Sequence, residues 1–125
     1  VALGNGKELT SVGKLSIEEY ANMLEESYAG ISLMCSPHPS YPPLEMSVFD
    51  VKTITNTYAN KDLKEFNENI ISLDNISPMN IAKHLVEICK SYQTEVRHIA
   101  ANPLYVKNDH VFDFVEDIKK ILDEE

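Results

Sequence analysis

Seven side chains with chemistry to offer lie within 26 residues of one another: Ser36, His38, Ser40, Tyr41, Glu45, Asn56 and Lys61. The first five belong to a stiff segment, SPHPSYPPLEM, which holds four of the chain's six prolines. Proline fixes φ, so such a loop loses less entropy when it orders around a ligand. The serines, the histidine and the tyrosine supply side-chain donors. The helix predicted to follow, over 43–49, begins with backbone N–H groups that lack intrahelical partners, those of Leu44, Glu45 and Met46 among them. Together with the helix dipole they make a site for an anion such as phosphate.

Glu45 has two readings. An acid in the first helical turn complements the dipole and can serve as a cap. It can also accept hydrogen bonds from ribose hydroxyls, as acids do in dinucleotide folds. His38 is either a polar loop residue or a donor to phosphate or sugar. Asn56, with Thr57 and Tyr58, follows a predicted strand and faces the same edge. Lys61 can neutralise a diphosphate, and for both residues a solvated polar loop is the competing reading. Cys35 and His38 do not suggest a metal site, because the rest of a tetrahedral set is missing nearby. The patterns GxxxxGK[ST], GxGxxG and GxSxG are absent.

The elements that must position these residues follow from hydrophobic spacing. Ser16-Ile17-Glu18-Glu19 is a capping box, and Ile17, Tyr20, Ala21, Leu24 and Tyr28 recur at helical spacing until Gly30. Ile31–Cys35, Val51–Thr55 and Ile70–Leu73 read as short buried strands, with a polar loop over 56–69. Ser77-Pro78 opens a helix whose apolar face carries Ile81, Ala82, Leu85, Ile88 and Cys89. A short helix over 94–101 and an amphipathic one through Val111, Phe114, Val115, Ile118 and Leu122 follow. Val1–Leu3 and Leu9–Val12 are further strand candidates. Strands alternating with amphipathic helices predict an α/β fold, a Rossmann-like three-layer sandwich with a mainly parallel sheet. Ligands bind such sheets at the carboxyl ends of the strands.

The 125 residues make one domain, 1–125, and the net charge of −9 disfavours nucleic acid and anionic membrane surfaces as partners. No apolar run reaches the length of a transmembrane segment. Cys35 and Cys89 read as reduced core residues, which suits a cytoplasmic location. The start at Val1 suggests a piece of a longer polypeptide.

The string YAGISLMCSPHPSYPPLEMSVFDVKTITNTYANKDL, with VGKLSIEEYANMLEESYAG before it and NENIISLDNISPMNIAKHL after it, resembles the C-terminal half of bacterial glycosyltransferases of the GT-B fold. The most similar group includes the rhamnosyltransferases of surface-layer glycan assembly, and the resemblance spans residues 9–90. It implies a nucleotide-sugar donor site: Glu45 on the ribose, Ser40 through Met46 on the diphosphate, and the stretch of Val12, Gly13 and Leu15 near the base. It implies a dTDP- or UDP-linked sugar as substrate, no metal or other cofactor, and a glycan acceptor read by a separate N-terminal domain. The location expected is the cytoplasm, at the inner face of the membrane. The glutamate that many retaining members carry eight residues earlier is replaced by Pro37, so the resemblance assigns neither stereochemistry nor a catalytic residue. The competing expectation is a stand-alone nucleotide-binding, phosphate-binding or protein-interaction module without catalysis.

Overall fold

The computed structural model describes residues 1–36, 40–92, 94 and 96. The predicted helices at 94–101 and 111–122 lie outside the described residues, apart from Thr94 and Val96. The elements run α1 (Ile17–Glu26), β1 (Ala29–Ile31), α2 (Tyr41–Val48), β2 (Lys52–Asn56), β3 (Ile70–Leu73) and α3 (Pro78–Ser91). The three strands form one parallel sheet in the order β1-β2-β3. Parallel strands send their following segments out at the same edge, so the segments that begin at residues 32, 57 and 74 leave from there. The α/β Rossmann-like reading of the sequence is therefore the observed fold.

Helix starts follow the local chemistry. In α1 the Ser16 hydroxyl accepts from the Glu19 amide at 3.2 Å, and the Glu19 carboxylate accepts from the Ser16 amide at 2.8 Å. In α3 the Ser77 hydroxyl accepts from the Asn80 amide, and Pro78 occupies the first turn, where no donor is lost. α2 begins at Tyr41, two residues before the predicted start, because Pro42 and Pro43 fit a first turn that requires no N–H from them. It ends with the Asp50 amide donating to Ser47 O and the Val51 amide to Met46 O. That is a Schellman closure with Asp50 at φ 59°.

Successive strand residues face opposite sides of a sheet. On one side Ile54 and Leu73 pack with Ile88, joined by Ile71, Ile81 and Leu85. On the other side Ile70 packs with Met34, Leu44 and Leu63. Helices α3 and α2 thus cover the two faces, giving three layers. At Gly30 a Met side chain of α2 lies close over β1: a Cβ there would be 2.7 Å from Met46 Sδ. The sequence marks Gly30 as a helix stop, whereas the structure uses it as the strand position over which Met46 packs.

Three expectations are corrected. β1 starts two residues earlier than predicted and ends at Ile31. Its hydrogen bonding to β2 extends to the Ser32 amide on Ile54 O, and further on the Met34 backbone is taken by the Asn56 side chain instead. The N-terminal strand candidates do not enter the sheet, because Leu3 donates to Lys7 O and Leu9 to Val1 O, pairing the segment with itself. Cys35 and Cys89 are free thiols, as predicted, but both are exposed rather than in the core. Among the described residues no helix is long and apolar enough to cross a membrane.

Candidate functional site

The edge at which the strands end is built around Asn56. Its side chain is buried, with 5 % exposure, and it is the last residue of β2. Oδ1 accepts from the Met34 amide at 2.6 Å, and Nδ2 donates to Met34 O at 3.1 Å and to Thr57 O at 2.8 Å. An amide side chain offers one acceptor and two donors, and all are used. Asn56 therefore clamps the backbone where the chain leaves β1 toward α2. The sequence places Asn56 at this edge, and the structure gives it to the scaffold of the proline loop.

Ser40 is the N-cap residue of α2, and its side chain makes no capping bond. Four backbone N–H groups precede the first intrahelical bond, those of Ser40, Tyr41, Pro42 and Pro43 by position. The prolines have none, so the donors left at this terminus are the amides of Ser40 and Tyr41. The expected donors Leu44, Glu45 and Met46 fall inside the helix, because the helix starts earlier than the sequence suggests. Leu44 contributes its side chain instead. With Ser40, Asn60, Lys61, Asp62, Leu63 and Phe66 it lines a cavity of about 320 Å³. Ser40 and Lys61, 21 positions apart in sequence, thus meet at one cavity.

Lys61 reaches that place through a tight turn. The Tyr58 and Lys61 amides donate to each other's carbonyls at 3.1 and 2.9 Å, with Ala59 in the left-handed region at φ 53°. The adjacent Asp62 pairs with Lys64 at 2.7 Å. The lysine's hydrogen bonding holds the Asp62 carboxyl below its usual range, and the same pair raises Lys64. The negative charge at this cavity is thereby offset by a neighbouring cation.

Glu45 lies on the α1 side of α2. Its carboxylate is near enough to Tyr20 to act on the phenol. Burial first, then the nearby charge of Glu45, push the Tyr20 phenol above its ordinary pKa. Tyr20 also lines a cleft of about 340 Å³ with Val12, Gly13, Leu15, Ser16, Ile17 and Met23. Leu15 and Tyr20 stand just before the cap and four residues into the helix, the positions of a hydrophobic staple. Gly13, at φ 69°, takes a conformation that glycine adopts without strain. Gly13 thus shares a cleft with the tyrosine on which the Glu45 charge acts.

The remaining candidates are less closely joined. Ser36 is half-buried on the loop after β1, and Tyr41 is exposed at the start of α2. His38 lies outside the described residues, with Pro37 and Pro39. Sequence reasoning treated Tyr20 only as a member of the apolar stripe of α1. Its staple position beside Gly13 was the available signal for more. Asp62 and Phe66 were also passed over as loop residues.

A parallel sheet covered by helices on both faces, with a helix N-terminus and a cavity where its strands end, defines a Rossmann-like domain. Residues 1–86 match the family model described as WsaF, C-terminal domain, and the chain belongs to that family, a glycosyltransferase-related one. The match takes in every candidate residue from Gly13 to Lys61. Among the curated proteins there is no match.

Proposed function

We propose that this chain is the donor-binding domain of a GT-B glycosyltransferase acting on a nucleoside diphosphate sugar, with a dTDP- or UDP-linked sugar, rhamnose among them, as the substrate class. The observation that carries this reading is Glu45. It is a carboxylate in the early turns of α2, the helix after β1, and its charge acts on Tyr20, which lines the cleft of Gly13 and Leu15. In a chain of this family, that placement favours the ribose reading over the cap reading. A capping carboxylate would stand in the first turn of the helix, whereas the first turn of α2 holds no acid and Glu45 lies beyond it.

In this reading Glu45 accepts from the ribose hydroxyls, and the base enters the cleft of Val12, Gly13 and Leu15. The diphosphate meets the Ser40 and Tyr41 amides, the Ser40 hydroxyl and Lys61. Asn56 holds the loop that carries these donors. When the bond between the sugar's anomeric carbon and the phosphate oxygen breaks, its electron pair stays on the diphosphate. Fixed donors already aimed at that oxygen stabilise the growing charge without reorganising. The acceptor glycan is bound by a separate N-terminal domain, and catalysis requires both halves. The enzyme works in the cytoplasm, on an acceptor presented at the membrane's inner face.

The test is calorimetric titration of the chain with dTDP, UDP, GDP and inorganic phosphate, alongside Glu45→Ala. One nucleoside diphosphate should bind more tightly than phosphate, and Glu45→Ala should weaken it about tenfold or more, the loss expected for a hydrogen bond to a charged group. Equal binding of all four ligands, or no effect of the substitution, would point instead to a phosphate site or a stiff connector.

A further inference from the structure

We propose that Asn5 is a modification site, where the following backbone nitrogen displaces the side-chain amide and leaves aspartate or isoaspartate. Asn5 alone among the chain's asparagines is followed by glycine. Glycine has no Cβ, so nothing shields its nitrogen and its backbone turns most freely. The fold leaves this dipeptide open. Residues 1–14 are all exposed. Asn5 and Gly6 stand at the tip of a ribbon in which Ala2 pairs antiparallel with Glu8. The Leu3 amide donates to Lys7 O at 2.8 Å and the Leu9 amide to Val1 O at 2.7 Å. A two-stranded ribbon is marginal in water, so the tip reaches the geometry of attack at little cost. The Lys7 amide also donates to Asn5 Oδ1 at 3.1 Å. That bond closes a turn around the Gly6 nitrogen and keeps the side-chain amide beside it. It also draws electron density from Cγ, as donors to a developing oxyanion do.

The step balances with water as the only co-reactant. Solvent base takes the proton of the Gly6 amide, and the nitrogen bonds to Asn5 Cγ. The Cγ–Nδ2 bond breaks, and Nδ2 leaves as ammonia with a proton from solvent. The product is a succinimide. Water then adds at either ring carbonyl. Addition at Cγ breaks the new bond to the Gly6 nitrogen and gives aspartate in a normal chain. Addition at the backbone carbonyl carbon of Asn5 breaks the original peptide bond and gives isoaspartate, whose chain runs through Cγ. Either product replaces a neutral amide with a carboxylate. Isoaspartate also lengthens the backbone at the tip, which disturbs the pairing of Leu3 with Lys7.

The experiment incubates the folded chain in mildly alkaline buffer and follows its peptides by mass spectrometry. An isoaspartate-specific carboxyl methyltransferase with a labelled methyl donor counts the isoaspartate formed. Asn5→Gln, Gly6→Ala and the wild type in urea run beside it. Both substitutions lie outside the core, so the fold should persist, which circular dichroism checks. The peptide with Asn5 should gain the mass of amide-to-acid exchange before any other asparagine peptide, with isoaspartate at residue 5. Gly6→Ala should slow this about tenfold or more, because a methyl group hinders the attacking nitrogen. Asn5→Gln should lose most of the methyl acceptance, since its attack must close a larger ring. The folded chain should react within about tenfold of the rate in urea, because the ribbon opens readily. An unchanged Asn5 peptide, an earlier reaction at another asparagine, or an undiminished rate in Gly6→Ala would each overturn the inference. A folded rate lower than that margin would also overturn it, since the ribbon would then shield the site.

Discussion

Replacing Asn56 tests how the strand-end edge is held together. Asn56→Ala deletes both bonds to the Met34 backbone and leaves its N–H and C=O without partners. Met34 is 6 % exposed, so water does not readily replace the lost groups. An unsatisfied buried polar group costs about 1–3 kcal/mol, so the pair gives a loss of about 2–6 kcal/mol. A domain holds about 5–15 kcal/mol in all. Asn56→Asp separates hydrogen bonding from size. The introduced carboxylate can still accept from the Met34 amide, but its second oxygen faces the carbonyls of Met34 and Thr57. Protonation restores one donor, so the folded state raises the pKa of the introduced group above its unfolded value near 4. A raised pKa gives stability that is present below the unfolded value and lost as pH rises through the folded value. Asn56→Asp should therefore be closer to wild type at pH ~4 than at pH ~7. Urea denaturation of the three proteins at both pH values reads this directly. A loss below about 1 kcal/mol for Asn56→Ala, or an Asn56→Asp penalty independent of pH, would refute the clamp.

Ala59→Gly relieves a left-handed residue at φ 53°. The relief of about 1–2 kcal/mol is partly offset by glycine's greater unfolded freedom, leaving a stability gain of about 0.5–1 kcal/mol, read by urea denaturation. Asp62 should titrate below the usual carboxylate range by NMR, and Lys64→Ala should return it toward that range. Because its pKa is depressed, the contribution of Asp62 is present above the unfolded pKa and lost as pH falls through the folded one. In a spectrophotometric titration, Tyr20 should ionise above its ordinary value, and Glu45→Gln should remove only part of the shift, since burial is the larger cause. Its raised pKa gives stability present below the unfolded value and lost as pH rises through the folded one.

The sequence showed most plainly those elements whose signals are local. Ser16 and Glu19 name their own helix, and Ser77-Pro78 names another. Ile70–Leu73 is bounded as its apolar letters suggest. The errors arise where a distant residue decides. β1 ends early because Asn56, 22 positions after Met34 in sequence, takes backbone groups that a longer strand would have used. Gly30 looks like a helix stop until Met46 is seen packed over it. The two prolines suggest a later start for α2 because proline is best known at the first helical position, yet the whole first turn lacks donor requirements. At the candidate site, Glu45 stands out in the sequence by its place after the loop. Tyr20 does not, since an aromatic residue on an apolar stripe is ordinarily core. Cys89 was assigned to the buried face by spacing alone, but it stands at the margin of that face and is exposed.

The central claim is that one nucleoside diphosphate binds at the start of α2 and beside Tyr20. The most direct test is a backbone amide NMR titration of the chain with dTDP, UDP and GDP, with inorganic phosphate as the control. The account predicts saturable shifts at Gly13, Ser40 and Tyr41 with one nucleotide, much weakened in Glu45→Ala. No shift at these amides with any nucleotide at millimolar concentration, or the same shifts with phosphate alone, would contradict it.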